Sequence, residues 1–349
     1  MGPALILLFI TAGLWAAGFG LAGRLLSRPL RKGSSAPRSV SVIIPARNEE
    51  HNLPRLLRSL TGSSLAPLEI IVVDDGSADR TAQVARELGA KVLASPALPP
   101  GWRGKTWACY QGAKAANGEW LVFVDADTWF EPGGLEKALS ACPGGAFSAG
   151  PYHVVERPYE QLSLFFNLNM VAGTVPDRLF GQMLVVDRQS YWRVGGHEAV
   201  RGRILENFWL GAQFRAAGVG VRSVPGRGIL SFRMYPNGLR ELVEGWTKGF
   251  ASGAGKTPTG VLLLIVGWMT GLMLAPLGGL ISGDWIPWGT IYLLCAGQVR
   301  WFSRQIGAFR WYAAAFYPAA LVFFFILFAW SALRSGRKVR WKGREILAD

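Results

Sequence analysis

The apolar residues of this 349-residue chain are gathered at its two ends. Residues 3–23 run without a single charge for 21 positions, close to the roughly 20 that a ~30 Å hydrocarbon layer requires of a helix. One spanning helix is expected there. No Lys or Arg precedes the stretch and no small-x-small cleavage site follows it, which argues against a cleaved leader. Arg24, Arg28, Arg31, Lys32 and Arg38 come next, and this basic cluster places the following chain on the cytoplasmic side. A second apolar region covers 260–282, 285–299 and 311–333. The first and last of these are long enough to span. The middle one, interrupted by Pro287 and bounded by Asp284 and Arg300, reads as a short span, a re-entrant piece or an interfacial helix. Arg334, Arg337, Lys338, Arg340, Lys342 and Arg344 should remain cytoplasmic, which two crossings after the central region satisfy and three do not.

Lys and Arg number 37 against 23 Asp and Glu, a formal charge of +14. Yet only 17% of residues are charged, 15 are Trp and 19 are Phe. That is too apolar for a disordered tail or a nucleic-acid binder. Much of the positive charge instead flanks the apolar ends, where each cation near an anionic leaflet is worth about 1 kcal/mol. Cys109, Cys142 and Cys295 are odd in number and lack C-x-x-C spacing, so they read as reduced packing residues.

Between the apolar ends the pattern alternates. Residues 40–44 form a β-branched run, and Leu53, Leu56, Leu57 and Leu60 follow at helical spacing over 49–60. A second strand, 69–73, leads to Asp79 at a helix N-cap and a helix through Leu88. A short strand near Val92, a helix over 105–116 and a buried strand over 120–124 complete the series. Strand and helix in this alternation predict an α/β fold with a mostly parallel sheet, and ligands at the carboxyl ends of its strands.

Those ends carry the chemistry. Asp125 and Asp127 form a D-x-D directly after a buried strand, a placement that suits a hard divalent cation shared with phosphate oxygens. Alone, such a pair is more readily a helix N-cap and turn pair. Here Asp74, Asp75, Gly76 and Ser77 close an earlier strand, where a carboxylate can accept from a ribose hydroxyl or a base N–H. Pro45, Ala46, Arg47, Asn48 and Glu49 close the first, and supply an Arg for phosphate or base. Lys105 follows a glycine turn and can reach a diphosphate as a point charge. Three such turns at neighbouring strand ends point to a nucleotide–diphosphate site.

The order P-A-R-N-E-E, V-D-D-G-S, G-K and D-A-D resembles glycosyltransferase family 2 over roughly residues 40–255. The resemblance implies a GT-A fold, a UDP-sugar donor, a divalent metal (Mg2+ or Mn2+) and transfer with inversion. It implies that Pro45, Arg47 and Glu49 line the nucleotide pocket and that Asp75 contacts the uridine. Asp127 with Asp125 would serve metal and diphosphate. A second set of motifs, W-R-G-K-T-W-A-C-Y-Q-G (102–112), P-Y-H (151–153), F-N-L (166–168), G-G-H (195–197), F-R-M-Y (232–235) and E-G-W-T-K (244–248), is similar to members of that family that glycosylate a carotenoid acid.

Family members usually carry an acidic pair where this chain has Glu206 followed by Asn207. Glu206 is the candidate catalytic carboxylate, as base or as acceptor positioner; capping the helix that runs to Ala217 is its structural alternative. Loss of the second acid suits a carboxylic acid acceptor, which is already ionised at neutral pH and needs little deprotonation. His153, His197, Arg233, Tyr235, Trp246 and Lys248 are the candidates for contact with acceptor or phosphate. The Q-x-x-R-W of processive polysaccharide synthases is missing near 244–248, which favours one sugar per acceptor. Residues 159–175 read equally as an interfacial helix that lets a lipid acceptor reach the site or as a core helix of the soluble domain.

The expected organisation is a membrane helix and basic linker over 1–38, a GT-A domain over 39–255 with a candidate interfacial helix, and a membrane region with basic tail over 256–349. The expected activity is that of a multi-pass plasma-membrane hexosyltransferase facing the cytoplasm. It would move a hexose, glucose from UDP-glucose, onto a carotenoid carboxylate, with no nucleic-acid partner. A polyprenyl phosphate and a hopanoid-type lipid are alternative acceptors. A nucleotide-sensing membrane transporter is the non-enzymatic alternative, and it would call for intramembrane ionisable residues that the confident spans lack.

Overall fold

The computed structural model describes residues 2–26, 39–63, 65–142, 144–203, 205–247, 257–334, 338–341 and 344–347. They form two compact units. One combines Ser27–Tyr152 with Thr174–Phe232; the other combines Met1–Leu26, His153–Gly173 and Arg233–Asp349. Segments 153–173 and 233–247, read from sequence with the central domain, thus group with the apolar helices.

The first unit is built on strands β1 (Val40–Ala46), β2 (Glu69–Asp74), β3 (Lys91–Ala94), β4 (Trp120–Val124), β5 (Thr128–Phe130), β6 (Ala146–Gly150), β7 (Tyr152–His153, of which His153 belongs to the second unit), β8 (Met183–Asp187), β9 (Val221–Pro225) and β10 (Leu230–Phe232). Seven of them make one sheet in the order β3-β2-β1-β4-β8-β6-β9. β2 and β4 flank β1, both parallel to it, as the alternating pattern demands. Side chains alternate across the sheet with the two-residue period of a strand. Val42 and Ile44 join Leu53, Leu56, Leu57 and Leu60 of the helix Leu53–Thr61 on one face. Ile43 joins Ala108, Cys109 and Ala113 of the helix Gly104–Ala115 on the other. Each of those fully buried leucines contributes about 1.5–3 kcal/mol. Gly112 lets the second helix lie close, because a Cβ there would stand 2.4 Å from Ile43 Cγ2.

β8 breaks the parallel pattern. It runs antiparallel between β4 and β6, with Val124 opposite Met183 and Trp120 opposite Asp187. Its amino end therefore reaches the sheet edge where β1, β2 and β4 end.

In the second unit, Pro3–Leu25 and Thr259–Ser282 are, among the described residues, the two helical stretches long and apolar enough to cross a membrane, with mean hydropathy 2.1 and 2.0. They meet through small residues, as helices in lipid tend to: a Cβ on Gly271 would stand 2.8 Å from the Trp15 backbone, and one on Gly18 would strike Trp268. Trp268 Nε1 donates to Gln298 Oε1 (2.7 Å), and Gln298 Nε2 donates to the Trp15 carbonyl (3.3 Å). Two expectations change. The middle stretch, read as about 15 residues, is part of a continuous helix, Trp285–Ile306, joined to Thr259–Ser282 through Gly283 in the left-handed region. The last stretch is broken at Phe316 into Trp311–Ala315 and Tyr317–Arg334. Tyr317 hydroxyl donates to the Leu272 carbonyl, part-way along Thr259–Ser282 (2.8 Å). Residues 159–175 become a 3-10 turn, Pro158–Ser163, and a helix, Leu164–Thr174, whose Leu164, Phe165, Phe166 and Leu168 are fully enclosed by protein. Up to Gly173 the segment groups with the apolar helices and not with the α/β domain.

Candidate active site

Three turns meet at the carboxyl edge of β1, β2 and β4. Asp75 follows β2 and donates its backbone N–H to the Ala46 carbonyl (2.9 Å). Arg47 follows β1; its Nη1 lies 3.7 Å from Asp75 Oδ2 and donates to the Asp75 carbonyl (3.2 Å). Asn48 adopts φ +55, a left-handed conformation that Asn tolerates better than most residues. Its backbone N–H reaches Ser77 Oγ and its Oδ1 accepts from the Ala78 N–H, which ties the first turn to the second. The Glu49 N–H donates to Thr81 Oγ1 (2.8 Å), and its carboxylate accepts from Asn52 Nδ2 (2.9 Å). Gly76 has φ +69 with open space where a side chain would stand.

The third turn carries the D-x-D. Asp125 is held by its backbone N–H to the Gln182 carbonyl, and its own carbonyl accepts from Thr128 Oγ1 (2.8 Å). Asp127, two residues on, is exposed.

Lys105 binds these parts together. Its ammonium stands 2.7 Å from Asp125 Oδ1 and 2.8 Å from Glu206 Oε1, and donates to the Gly181 carbonyl (2.9 Å). The loop ahead of it is fixed by Thr106 Oγ1 to the Arg201 carbonyl and by Arg103 Nε to the Gly202 carbonyl. Burial opposes the ammonium charge, but Asp125 and Glu206 outweigh it and hold Lys105 above its ordinary value. Burial pushes Asp125 up to about 7; Lys105 works against that rise, while Asp127 and Glu206 add to it. Lys105, expected from sequence to reach a diphosphate, shares its charge between the D-x-D and the candidate catalytic carboxylate.

Glu206 opens the helix Glu206–Ala216 and is 4% exposed. Pro45, Lys105, Asp125, Glu206 and His197 line one small cavity. Sequence reasoning missed two other members, Gly181 and Gln182, because β8 is antiparallel; Asn207, noted there only as a replaced acid, lines the same cavity from the helix Glu206–Ala216. The β8 loop arrives amino end first, and a G-Q pair ahead of a buried strand was the available signal. His197 bonds Tyr191 hydroxyl through Nδ1 (2.9 Å). Burial, with Lys105 nearby, pushes it down to about 3, so it is neutral at physiological pH.

The remaining candidates belong to the other unit. Arg233 pairs with Glu156 (2.7 Å) and Glu160 (2.8 Å), and Glu160 is fully buried. His153 contacts Asn167 Nδ2 through Nδ1 (2.8 Å), and burial lowers it to about 4. Trp246 stacks on Phe166 and donates to Ser163 Oγ (3.1 Å). Tyr235, at φ +58, accepts from Tyr159 hydroxyl through its backbone carbonyl (2.7 Å) and meets Trp246 edge-on. Lys248 lies outside the described residues.

Among the described residues no three His, Cys, Asp or Glu side chains converge as a ready-made metal cage. Asp125 and Asp127 offer hard oxygen donors on one turn, a partial set of the kind completed by phosphate oxygens.

The α/β sheet gathers a D-x-D, a lysine and a buried glutamate at its carboxyl edge, and the chain belongs to glycosyltransferase family 2. Residues 41–152 match the family described as Glycosyl transferase family 2. The 4,4'-diaponeurosporenoate glycosyltransferase of Staphylococcus haemolyticus (strain JCSC1435) is 35% identical over 92% of each chain. The protein of the same name from Staphylococcus aureus (strain MRSA252) is 34% identical over 88% of each. Among solved structures, a mannosyltransferase from Pyrobaculum calidifontis in complex with GDP-Man and Mn2+ superposes with a TM-score of 0.54 at 20% identity, covering 93% of this chain and 99% of that one. The fold is GT-A.

Proposed function

We propose that this chain transfers glucose from UDP-glucose, with inversion, onto the carboxylate of a carotenoid acid held in a membrane. The observation that carries the reading is the bridge made by Lys105 between Asp125 and Glu206, supported by the acceptor in the relatives' names. Arg47 and Asp75 hold the nucleoside. Pro45 and Glu49 wall that end of the pocket. A divalent cation on Asp127 and Asp125 would neutralise charge on the departing diphosphate. Lys105 gives a second positive charge at that leaving group and restrains Glu206.

In the transfer, an acceptor carboxylate oxygen forms a bond to the anomeric carbon as the bond from that carbon to the diphosphate oxygen breaks, and UDP departs with the electron pair. The acceptor enters already ionised, so no proton is removed. Asn207 in place of an acid is consistent with that chemistry. Glu206, adjoining Lys105, orients the reacting groups.

Pro3–Leu25, Thr259–Ser282 and the apolar helix Tyr317–Arg334 supply the membrane crossings in this reading. The basic tail then returns to the cytoplasmic side, as the charge rule asks. The experiment is incubation of the full chain in nanodiscs with labelled UDP-glucose, Mn2+ and 4,4'-diaponeurosporenoate, the carotenoid acid in the relatives' names. A labelled lipid cleaved by mild alkali, identified as a glucosyl ester by mass spectrometry, supports the proposal. A glucosyl phosphodiester, a hopanoid glycoside or no transfer overturns it.

A further inference from the structure

The cavity beside Lys105 presents acceptor oxygens that the transfer just described does not use. Asn207 is 3% exposed. Its Nδ2 donates to the Phe180 carbonyl (2.9 Å) and to the Gly181 carbonyl (3.2 Å), which fixes the amide's orientation. Its Oδ1 is buried with no hydrogen-bond partner among the described residues, and the same holds for Gln182 Oε1. Both residues line the cavity shared by Lys105 and Glu206. Its free volume is about 10 Å3, close to what one water or one hydroxyl oxygen occupies.

Buried polar atoms in folded proteins are nearly always satisfied, so two orphan acceptors at one small cavity call for a donor. The Lys105 ammonium beside them already directs its three N–H groups at Asp125, Glu206 and the Gly181 carbonyl, so the missing donor comes from elsewhere. A hydroxyl group supplies one. A carboxylate would face two more oxygens and the charges of Glu206 and Asp125, and an apolar group would leave the acceptors unpaired. An aspartate at 207 would lack the N–H groups that Phe180 and Gly181 receive, so the amide is the residue this position is shaped for.

We infer that Asn207 and Gln182 form a subsite that reads one hydroxyl group of the transferred hexose and so sets donor-sugar specificity. The inference rests on the hexose-transfer reading above. Its test compares UDP-glucose with its 2-, 3-, 4- and 6-deoxy analogues, using the full chain in nanodiscs and kcat/KM for transfer to the carotenoid acid. A site built around a substrate hydroxyl discriminates strongly against the analogue lacking it. One deoxy analogue should fall by about 10²-fold or more in the native protein. Asn207→Ala and Gln182→Ala should each shrink that one ratio to under about tenfold, since the partner of the missing hydroxyl is gone. Where a variant no longer turns over, displacement of labelled UDP by glucose and deoxy donors reads the same ratio from binding. Equal use of all four analogues, or a ratio unchanged in both variants, overturns the inference alone and leaves a cavity that holds only water. Absence of hexose transfer by the native chain overturns the donor reading and this inference together.

Discussion

Replacing Lys105 by methionine keeps most of its volume and removes the charge that Asp125 and Glu206 share. Breaking a buried ion pair by deleting one partner costs about 3–5 kcal/mol. Lys105 and Asp125 side chains retain 27% and 26% exposure, so water screens part of the loss and about 3 kcal/mol applies. For a unit of this size that corresponds to a fall of about 6–12 °C in thermal midpoint. The size should depend on pH. Asp125 in the folded state titrates at about 7, above its unfolded value, so it is largely protonated at pH 5 and ionised at pH 8. Its attraction to Lys105 is present only in the ionised form; the variant should therefore lose more at pH 8 than at pH 5, where the Glu206 contact remains. In the native protein the raised value means that Asp125 ionisation subtracts stability as pH rises from about 4 toward and through 7. Thermal unfolding of the detergent-solubilised chain at both pH values measures these effects. Combining Lys105→Met with Glu206→Gln should recover part of the loss, since the second change removes an unpaired charge. An unchanged midpoint, or an equal fall at both pH values, would refute the electrostatic account.

Asp127→Ala should leave the thermal midpoint within a degree or two, because the side chain is exposed. It should reduce Mn2+-dependent glucose transfer by more than about 10²-fold, read in the nanodisc assay. Asp75→Asn should raise the KM for UDP-glucose by roughly tenfold, the equivalent of about 1.4 kcal/mol, with a smaller change in kcat. Gly112→Ala drives a methyl to 2.4 Å from Ile43 Cγ2 and should destabilise the chain by about 1–3 kcal/mol, measured by thermal or denaturant unfolding.

Most of the parallel half of the sheet was legible because each strand ends in its own signal. Val40–Ala46, Glu69–Asp74 and Trp120–Val124 lie within two residues of the runs read from sequence, since buried β-branched segments stop where the acidic turns begin. The leucines of Leu53–Thr61 all fall on the buried face. What the pattern could not reveal was the company each residue keeps. Lys105 lies 20 positions from Asp125 and 101 from Glu206, and nothing local to either states that one ammonium serves both. Gly181 and Gln182 escaped for a topological reason, as an antiparallel strand delivers its leading loop where parallel strands deliver their trailing ones. In the helical unit, hydropathy stopped at Arg300, whereas the helix runs on to Ile306 because Arg300 donates to the Phe309 carbonyl and Arg304 sits in the last turn.

The carbonyl of Gly181 receives both the Lys105 ammonium and the Asn207 amide. It is an anchor made of main chain, so no single substitution at position 181 deletes it. Drift in this centre is thereby channelled into positions 105 and 207, whose side chains must go on fitting a fixed oxygen whatever sugar or lipid the enzyme comes to use.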